Sequence, residues 1–144
     1  MDFYRIRKLG KGAFSDVFLI KNRQDDTFYC QKVMKPRYLK HVGNEKKILN
    51  ILSKIKHPNI INFIQEEKMY NSTSLIFEYM FINLLNFYKQ YEEHLKFYRI
   101  CDYAWQLTNA LQFIHRLFII HCDLKPENIM INKQFTQLKI IDFG

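Results

Sequence analysis

Closely spaced cysteines, a charged-then-apolar start and apolar runs of membrane length are all missing from this 144-residue sequence. Its three cysteines, Cys30, Cys101 and Cys122, are odd in number and widely spaced, without a Cys-x-x-Cys pair. That pattern argues against a disulfide framework or a zinc site and indicates a reducing compartment. The first residues lack the charged-then-apolar layout of a signal peptide. We therefore expect an intracellular protein, in the cytoplasm or the nucleus, with no membrane insertion.

The sequence also lacks internal repeats, low-complexity tracts and Pro/Gly/Ser-rich linkers. Its 13 Phe and nine Tyr argue against disorder, and its 48% apolar and 25% charged residues are typical of a soluble globular protein. The net charge of +8 comes from basic residues scattered among acidic and apolar positions. We interpret it as a solvated basic surface and expect no nucleic-acid partner, because no basic stripe is formed.

The first third of the sequence reads as three strands, at residues 4–9, 14–20 and 27–34. Between the first two lies Gly-Lys-Gly-Ala-Phe-Ser-Asp-Val at 10–17. Glycine lets the backbone turn tightly and approach phosphate oxygens, but hairpin turns use glycine for conformational reasons alone. The glycines by themselves therefore leave a phosphate site and a plain turn both open. Lys32 on the third strand likewise needs an acidic partner before it indicates a site.

Glu45 is the candidate partner of Lys32, since it is the only acidic residue between positions 26 and 66. Apolar residues recur after it at helical spacing, at Ile48, Leu49, Leu52 and Ile55. This pattern predicts an amphipathic helix over 45–55 that ends before Pro58. An exposed Glu-Lys helix face is the alternative.

The rest of the sequence alternates strands and helices. Strands are predicted at 62–66 and 74–77, with a turn around 71–72, and helices at 83–91 and 96–116. The long helix carries an apolar stripe that we assign to the core: Ile100, Tyr103, Ala104, Leu107, Leu111 and Ile114. We expect Cys101 and Trp105 to be core residues as well.

A polar segment between apolar flanks, His-Cys-Asp-Leu-Lys-Pro-Glu-Asn at 121–128, indicates a loop that presents side chains from a rigid base. Asp-Phe-Gly follows at 142–144. Together these segments resemble the catalytic loop and the magnesium-binding motif of protein kinases, position for position except at Cys122, where the family usually has arginine. Because cysteine cannot form arginine's charge-assisted bonds, we expect control through a phosphorylated activation loop at this position to be absent.

The resemblance covers residues 4–144 and implies an α+β, protein-kinase-like fold. We expect a β-rich N-terminal lobe with one helix and the hinge at 1–80, and the first part of a helical C-terminal lobe at 81–144. The family continues into an A-P-E motif, so we interpret the chain as an incomplete domain. The implied function is that of a serine/threonine protein kinase, which transfers the γ-phosphoryl group of ATP, with Mg²⁺, to a protein hydroxyl. A nucleotide-binding pseudokinase or regulatory fragment without turnover is the alternative.

The resemblance also implies roles for individual residues. Asp123 and Lys125 would be catalytic, and Asn128 and Asp142 would bind magnesium. His121 would pack beneath the loop near Phe143. Nucleotide contacts are implied for Gly10, Gly12, Ser15 at the third glycine position, Val17, Cys30, Lys32, Glu45, Phe77, Glu78, Met80 and Met130.

The group within the family is left open by conflicting resemblances. Residues 75–80 and 83–85 resemble the CMGC kinases, which include MAK/MOK-like members, and His-Cys-Asp at 121–123 resembles the DYRK-like form. In contrast, Asn-Glu-Lys-Lys-Ile-Leu at 44–49 resembles the cyclic-nucleotide-dependent kinases.

Overall fold

The computed structural model describes residues 2–69 and 72–143, with backbone alone at 39–42 and 69. The chain forms two compact units. The first comprises Met1–Ser53 and Asn62–Tyr79, and the second comprises Lys54–Ile61 and Met80–Gly144. No helix of the described residues is long and apolar enough to cross a membrane. The lobe boundary expected at residue 80 stays a prediction.

The first unit contains a five-stranded antiparallel sheet of order β1-β2-β3-β5-β4. Its strands are β1 (Phe3–Lys11), β2 (Ser15–Asn22), β3 (Phe28–Met34), β4 (Phe63–Met69) and β5 (Ser72–Glu78). All five strands were predicted to within a few residues. The turn expected around 71–72 falls partly outside the described residues, since position 71 is not described.

The helix α1 (Val42–Ile55), which belongs to the first unit as far as Ser53, follows a 3-10 helix at Pro36–His41. Glu45, Leu49 and Leu52 form its buried face. These positions are spaced i, i+4 and i+7, as expected for one side of a helix. Ile55, which was assigned to that face, is instead half exposed. The buried face is therefore centred on Glu45 and not on the isoleucines.

The second unit combines helices with a three-stranded antiparallel sheet of order β6-β7-β8. Its elements are β6 (Ile82–Asn83), α2 (Leu84–Gln90), α3 (Phe97–Arg116), β7 (Ile129–Ile131) and β8 (Leu138–Ile140), with 3-10 helices at Glu92–His94 and Pro126–Asn128. Its apolar core consists of Phe87, Tyr103, Ile129, Ile131 and Leu138. Asn83 caps α2 by accepting the Asn86 N–H at 2.8 Å.

The core assignment for α3 was partly wrong. Tyr103 and Ile114 are buried as predicted, and the structure adds Gln106 and Ala110 to the buried face. Leu107 is partly buried and packs against the core. The remaining predicted core residues are exposed or only partly buried: Ile100, Cys101, Ala104, Trp105 and Leu111. The buried side of the helix is rotated from the apolar stripe and includes a polar residue, Gln106.

Gln106 is buried because its amide is fully used in hydrogen bonds. Its Oε1 accepts from Asn59 Nδ2 at 2.7 Å and from the Leu138 N–H at 2.9 Å. Its Nε2 donates to Asp102 and to the Thr136 carbonyl, both at 3.0 Å. A buried amide with four partners costs little to desolvate. These bonds hold β8, the strand that leads to Asp142, against α3.

Candidate active site

Of the two glycines predicted to approach a nucleotide, Gly10 lies near the end of β1 and Gly12 lies in the turn that leads to β2. Gly10 is opposite Val17, and Val17 is in turn opposite Lys32 on β3. The Gly12 N–H closes the turn on the Ser15 carbonyl at 2.9 Å. Ser15 is buried at the start of β2, so its side chain belongs to the base of the turn.

The backbone conformation at position 10 does not require a glycine. Its φ is not positive, and an added Cβ would meet no described atom within 4 Å. At Gly12 a Cβ would come within 3.3 Å of the Ser15 carbonyl oxygen, so a tight turn explains that glycine. Neither conformation nor packing explains Gly10, which is consistent with a ligand approaching the backbone there.

Four residues that were predicted to contact a nucleotide lie on one face of the five-stranded sheet. Cys30 is opposite Phe77, while Val17 is opposite Lys32, and Cys30 and Lys32 are two positions apart on β3. Side chains at such positions point to the same face. Burial raises the pKa of the Cys30 thiol to about 11. The thiol is therefore neutral at physiological pH and is part of an apolar surface.

Lys32 and Glu45 form an ion pair between β3 and α1, with 2.6 Å between Nζ and Oε1. Their side chains are 16% and 5% exposed. Because the pair is shielded from water, it holds the ammonium group at a defined position more firmly than a surface pair would. The expected partner of Lys32 is thus in contact with it, although only 13 residues separate the two.

Glu78 is fixed at the end of β5 by residue 62. Its N–H donates to the Asn62 carbonyl at 3.0 Å, and its Oε1 accepts the Asn62 N–H at 2.7 Å. In the second unit Met80 is buried, and Met130 is half-buried on β7. The adenine contacts implied for these three residues stay predictions.

The loop at 121–128 brings three predicted site residues together. Asp123 Oδ2 accepts from Lys125 Nζ at 2.7 Å and from Asn128 Nδ2 at 3.0 Å. The Lys125 hydrogen bond, with a smaller contribution from Asn128, lowers the pKa of Asp123 below its usual 3.8. The same bond raises the pKa of Lys125 above 10.5, so both groups are charged at neutral pH.

His121 supports the loop from below, as expected. Its Nε2 donates to the Ile141 carbonyl at 2.8 Å, while its Nδ1 accepts the Asp123 N–H at 3.3 Å. These two partners require the neutral tautomer protonated at Nε2. Its ring also packs against Phe143, with 5.0 Å between centroids. Both nitrogens are occupied, so His121 has a structural role.

Asn128 is buried and links the loop to the segment that ends at Asp142. Its carbonyl accepts the Ile141 N–H at 3.0 Å, and its Nδ2 donates to the Asp123 carbonyl at 2.9 Å. Asp142 has a left-handed φ of 66°, a strained conformation that is common at functional sites. Its charge contributes to the raised pKa of Lys125. Gly144, the last residue of Asp-Phe-Gly, lies outside the described residues.

The donor set fits a magnesium ion held jointly with a nucleotide. Both amide hydrogens of Asn128 face oxygens of Asp123, so the Asn128 Oδ1 atom points away from that carboxylate. An amide oxygen and the Asp142 carboxylate are hard ligands, and Mg²⁺ typically takes one or two protein carboxylates together with phosphate oxygens and water. The described residues contain no cluster of three or more His, Cys, Asp or Glu, which would indicate a self-sufficient metal site.

Lys35 is a site residue that sequence reasoning missed. Its Nζ donates to the carbonyls of Gly12 and Ala13, at 2.6 and 3.2 Å. Its position three residues after Lys32 gave no signal, because the contact depends on how the turn folds back over the end of β3.

A family model described as the protein kinase domain matches residues 3–144. The chain belongs to the protein kinase family. The α+β, kinase-like fold expected from the motifs is thereby confirmed.

Two curated relatives align with 99% of this protein kinase chain. It is 37% identical over 158 aligned positions to a cAMP-dependent protein kinase catalytic subunit of Dictyostelium discoideum. It is 30% identical over 149 positions to the serine/threonine-protein kinase Sgk1 of Fundulus heteroclitus. The chain spans 22% and 34% of the lengths of these two relatives.

Proposed function

We propose that this chain is part of a serine/threonine protein kinase that transfers the γ-phosphoryl group of Mg·ATP to a serine or threonine hydroxyl of a protein. The observation that carries the proposal is the Asp123 carboxylate, held on one oxygen by Lys125 and Asn128. A carboxylate fixed in this way can accept or orient a hydroxyl proton, which is the task of the catalytic base in phosphoryl transfer.

Lys125 has the charge and position to act beside that carboxylate. Its ammonium group lies 2.7 Å from Asp123 Oδ2 and remains protonated, since its pKa is raised. A fixed cation next to the base can stabilise negative charge on the transferring phosphoryl group. A lysine two positions after the aspartate is also typical of serine/threonine kinases, and Sgk1 carries that description in its name.

The first unit supports nucleotide binding with a fixed cation and an apolar face. Lys32, paired with Glu45 at 2.6 Å, would bind the α and β phosphates. The face that carries Val17, Cys30 and Phe77 would pack against the adenine. Asn128 and Asp142 would hold magnesium, which when bound neutralises phosphate charge.

The group within the family, the partners and the location are part of the same proposal. The name of the Dictyostelium relative agrees with the resemblance of residues 44–49 to cyclic-nucleotide-dependent kinases, whereas residues 75–80 still resemble CMGC kinases. We favour the first assignment because the name of that relative agrees with it. The proposed partners are ATP and a protein substrate, and the proposed location is intracellular.

Transfer of labelled phosphate from Mg·[γ-³²P]ATP to a mixed basic protein substrate tests the proposal. Asp123→Asn should lower the transfer rate by about 100-fold or more, because the base is lost, while Mg·ATP still binds. Glu93→Gln, which neutralises an exposed carboxylate of the second unit outside the loop, is the control and should transfer at the wild-type rate. Equal transfer by wild type and Asp123→Asn would contradict the proposal. Nucleotide binding without transfer by the wild type would favour the pseudokinase alternative.

A further inference from the structure

The tip of the glycine turn, residues 12–14, is attached to the segment that follows β3. Lys35 Nζ donates to the Gly12 and Ala13 carbonyls at 2.6 and 3.2 Å. The Lys35 N–H donates to the Phe14 carbonyl at 3.0 Å. The Phe14 ring also meets the Tyr38 ring edge-on, with 4.8 Å between centroids, although Phe14 is otherwise 60% exposed. Four contacts thus hold three consecutive residues that would otherwise be an exposed turn.

These contacts determine where the backbone donors of the tip point. The described peptide bonds are all trans, so each N–H points opposite to the carbonyl of the preceding residue. With the Gly12 and Ala13 carbonyls directed at Lys35, the N–H groups of Ala13 and Phe14 are directed away from it. Neither of these N–H groups donates to a backbone carbonyl within the described residues. Two successive N–H groups on one side of a turn form a small anion-binding surface.

We propose that Lys35 is a positioning residue for phosphate binding, assisted by the contact between Phe14 and Tyr38. Lys35 fixes the turn so that the Ala13 and Phe14 N–H groups are presented to the phosphates before the nucleotide arrives. A preorganised turn loses less conformational entropy on binding than a mobile one. The ammonium group also polarises the two peptide units whose carbonyls it binds, which strengthens their N–H groups as donors. This inference rests on the proposed nucleotide-binding function.

Binding of Mg·ATP and of adenosine, measured by calorimetry on the 144-residue chain, tests the role of Lys35 separately from the proposed nucleotide-binding function. Lys35→Gln should weaken Mg·ATP binding about tenfold, as expected for loss of hydrogen bonds from a charged donor. Adenosine carries no phosphate, so its affinity should change less than about twofold, and its binding also reports that the variant is folded. Lys35→Arg can still donate to two carbonyls and should restore most of the Mg·ATP affinity.

Two further variants control for charge and test the ring contact. Lys11→Gln removes the same charge from the same turn but no described carbonyl contact, and should cost Mg·ATP binding less than about threefold. Phe14→Leu keeps an exposed apolar side chain but loses the ring contact with Tyr38, and should weaken Mg·ATP alone, by about threefold.

Three results would overturn the inference. The first is Mg·ATP binding to Lys35→Gln at wild-type affinity. The second is equal loss of Mg·ATP affinity in Lys11→Gln and Lys35→Gln. The third is parallel loss of Mg·ATP and adenosine in both Lys35→Gln and Phe14→Leu. Failure of the wild-type chain to bind Mg·ATP at all would instead overturn the proposed function, and this inference with it.

Discussion

At the scale of single residues, Asp123 differs from an ordinary exposed carboxylate because two donors meet at its Oδ2 atom. Lys125 and, to a lesser extent, Asn128 lower its pKa. The carboxylate is therefore ionised throughout the neutral range. A carboxyl group whose pKa is lowered by folding stabilises the folded state at pH values above its pKa in the unfolded state. The stabilising contact is therefore lost only when the pH falls through the lowered pKa.

Replacing Lys125 by methionine removes the main cause of that shift. The pKa of Asp123 should rise toward its usual 3.8 in Lys125→Met, which a carbon-13 NMR titration of the side-chain carboxyl would measure. Lys133→Met, at an exposed position outside the loop, is the matched control and should leave the Asp123 titration unchanged. An unshifted Asp123 midpoint in Lys125→Met would show that the contact is absent in solution.

Residues whose role follows from a motif could be predicted from sequence, whereas residues defined by a turn's shape could not. Glu45 was found as the only acidic candidate in its stretch, and it contacts Lys32. Lys35 was missed because carbonyl contacts of a lysine leave no pattern in sequence. Ser15 was expected at a glycine position in the turn, and the structure shows it buried at the start of β2.

At the scale of elements, α1 is attached to the sheet by two adjacent ion pairs. Glu45 bonds Lys32 on β3, and Lys46 bonds Glu66 on β4. Consecutive helix residues point about 100° apart, so the two pairs restrain both the position and the rotation of the helix. The register of α1 therefore depends on these charges as well as on Leu49 and Leu52.

Glu45→Ala should destabilise the first unit by up to about 3 kcal/mol, because it removes the carboxylate that contacts the shielded Lys32 ammonium group. Chemical denaturation measures the loss, and hydrogen exchange should show faster opening of the α1 amides. Lys47→Ala, the exposed neighbour on the solvent side, should change the free energy of unfolding by less than about 0.5 kcal/mol. Equal stability of the two variants would contradict the inferred role of the pair.

Sequence periodicity located the helices but not the side of α3 that is buried. The helix predicted at 96–116 is observed at Phe97–Arg116. Ile100 and Trp105, however, are 51% and 66% exposed, while Gln106 is buried. An apolar pattern cannot anticipate a buried glutamine, because its burial depends on partners such as Asn59 and Leu138 that are distant in sequence.

At the scale of the whole molecule, the order of the motifs carried more information than any single motif. A glycine turn, a strand lysine, a helix glutamate, the loop at 121–128 and the segment from 142 follow one another in the order of a kinase domain. Each alone has an ordinary explanation, but together they predicted the fold that the family match confirms. The kinase group could not be predicted from the sequence, since the segments around Glu45 and at 75–80 resemble different groups.

The proposed function assigns residues from both compact units to the same nucleotide. Lys32 belongs to the first unit and Asp142 to the second. In this account Lys32 binds phosphate, and Asp142 binds the magnesium that accompanies it.

Calorimetric titration of Mg·ATP into the wild-type chain, Lys32→Met and Asp142→Asn tests whether both residues contribute to binding the same nucleotide. We expect one nucleotide bound per wild-type chain and an affinity at least about tenfold weaker in each variant, because each loses a charged contact to the same ligand. Wild-type affinity for Mg·ATP in either variant would contradict this expectation.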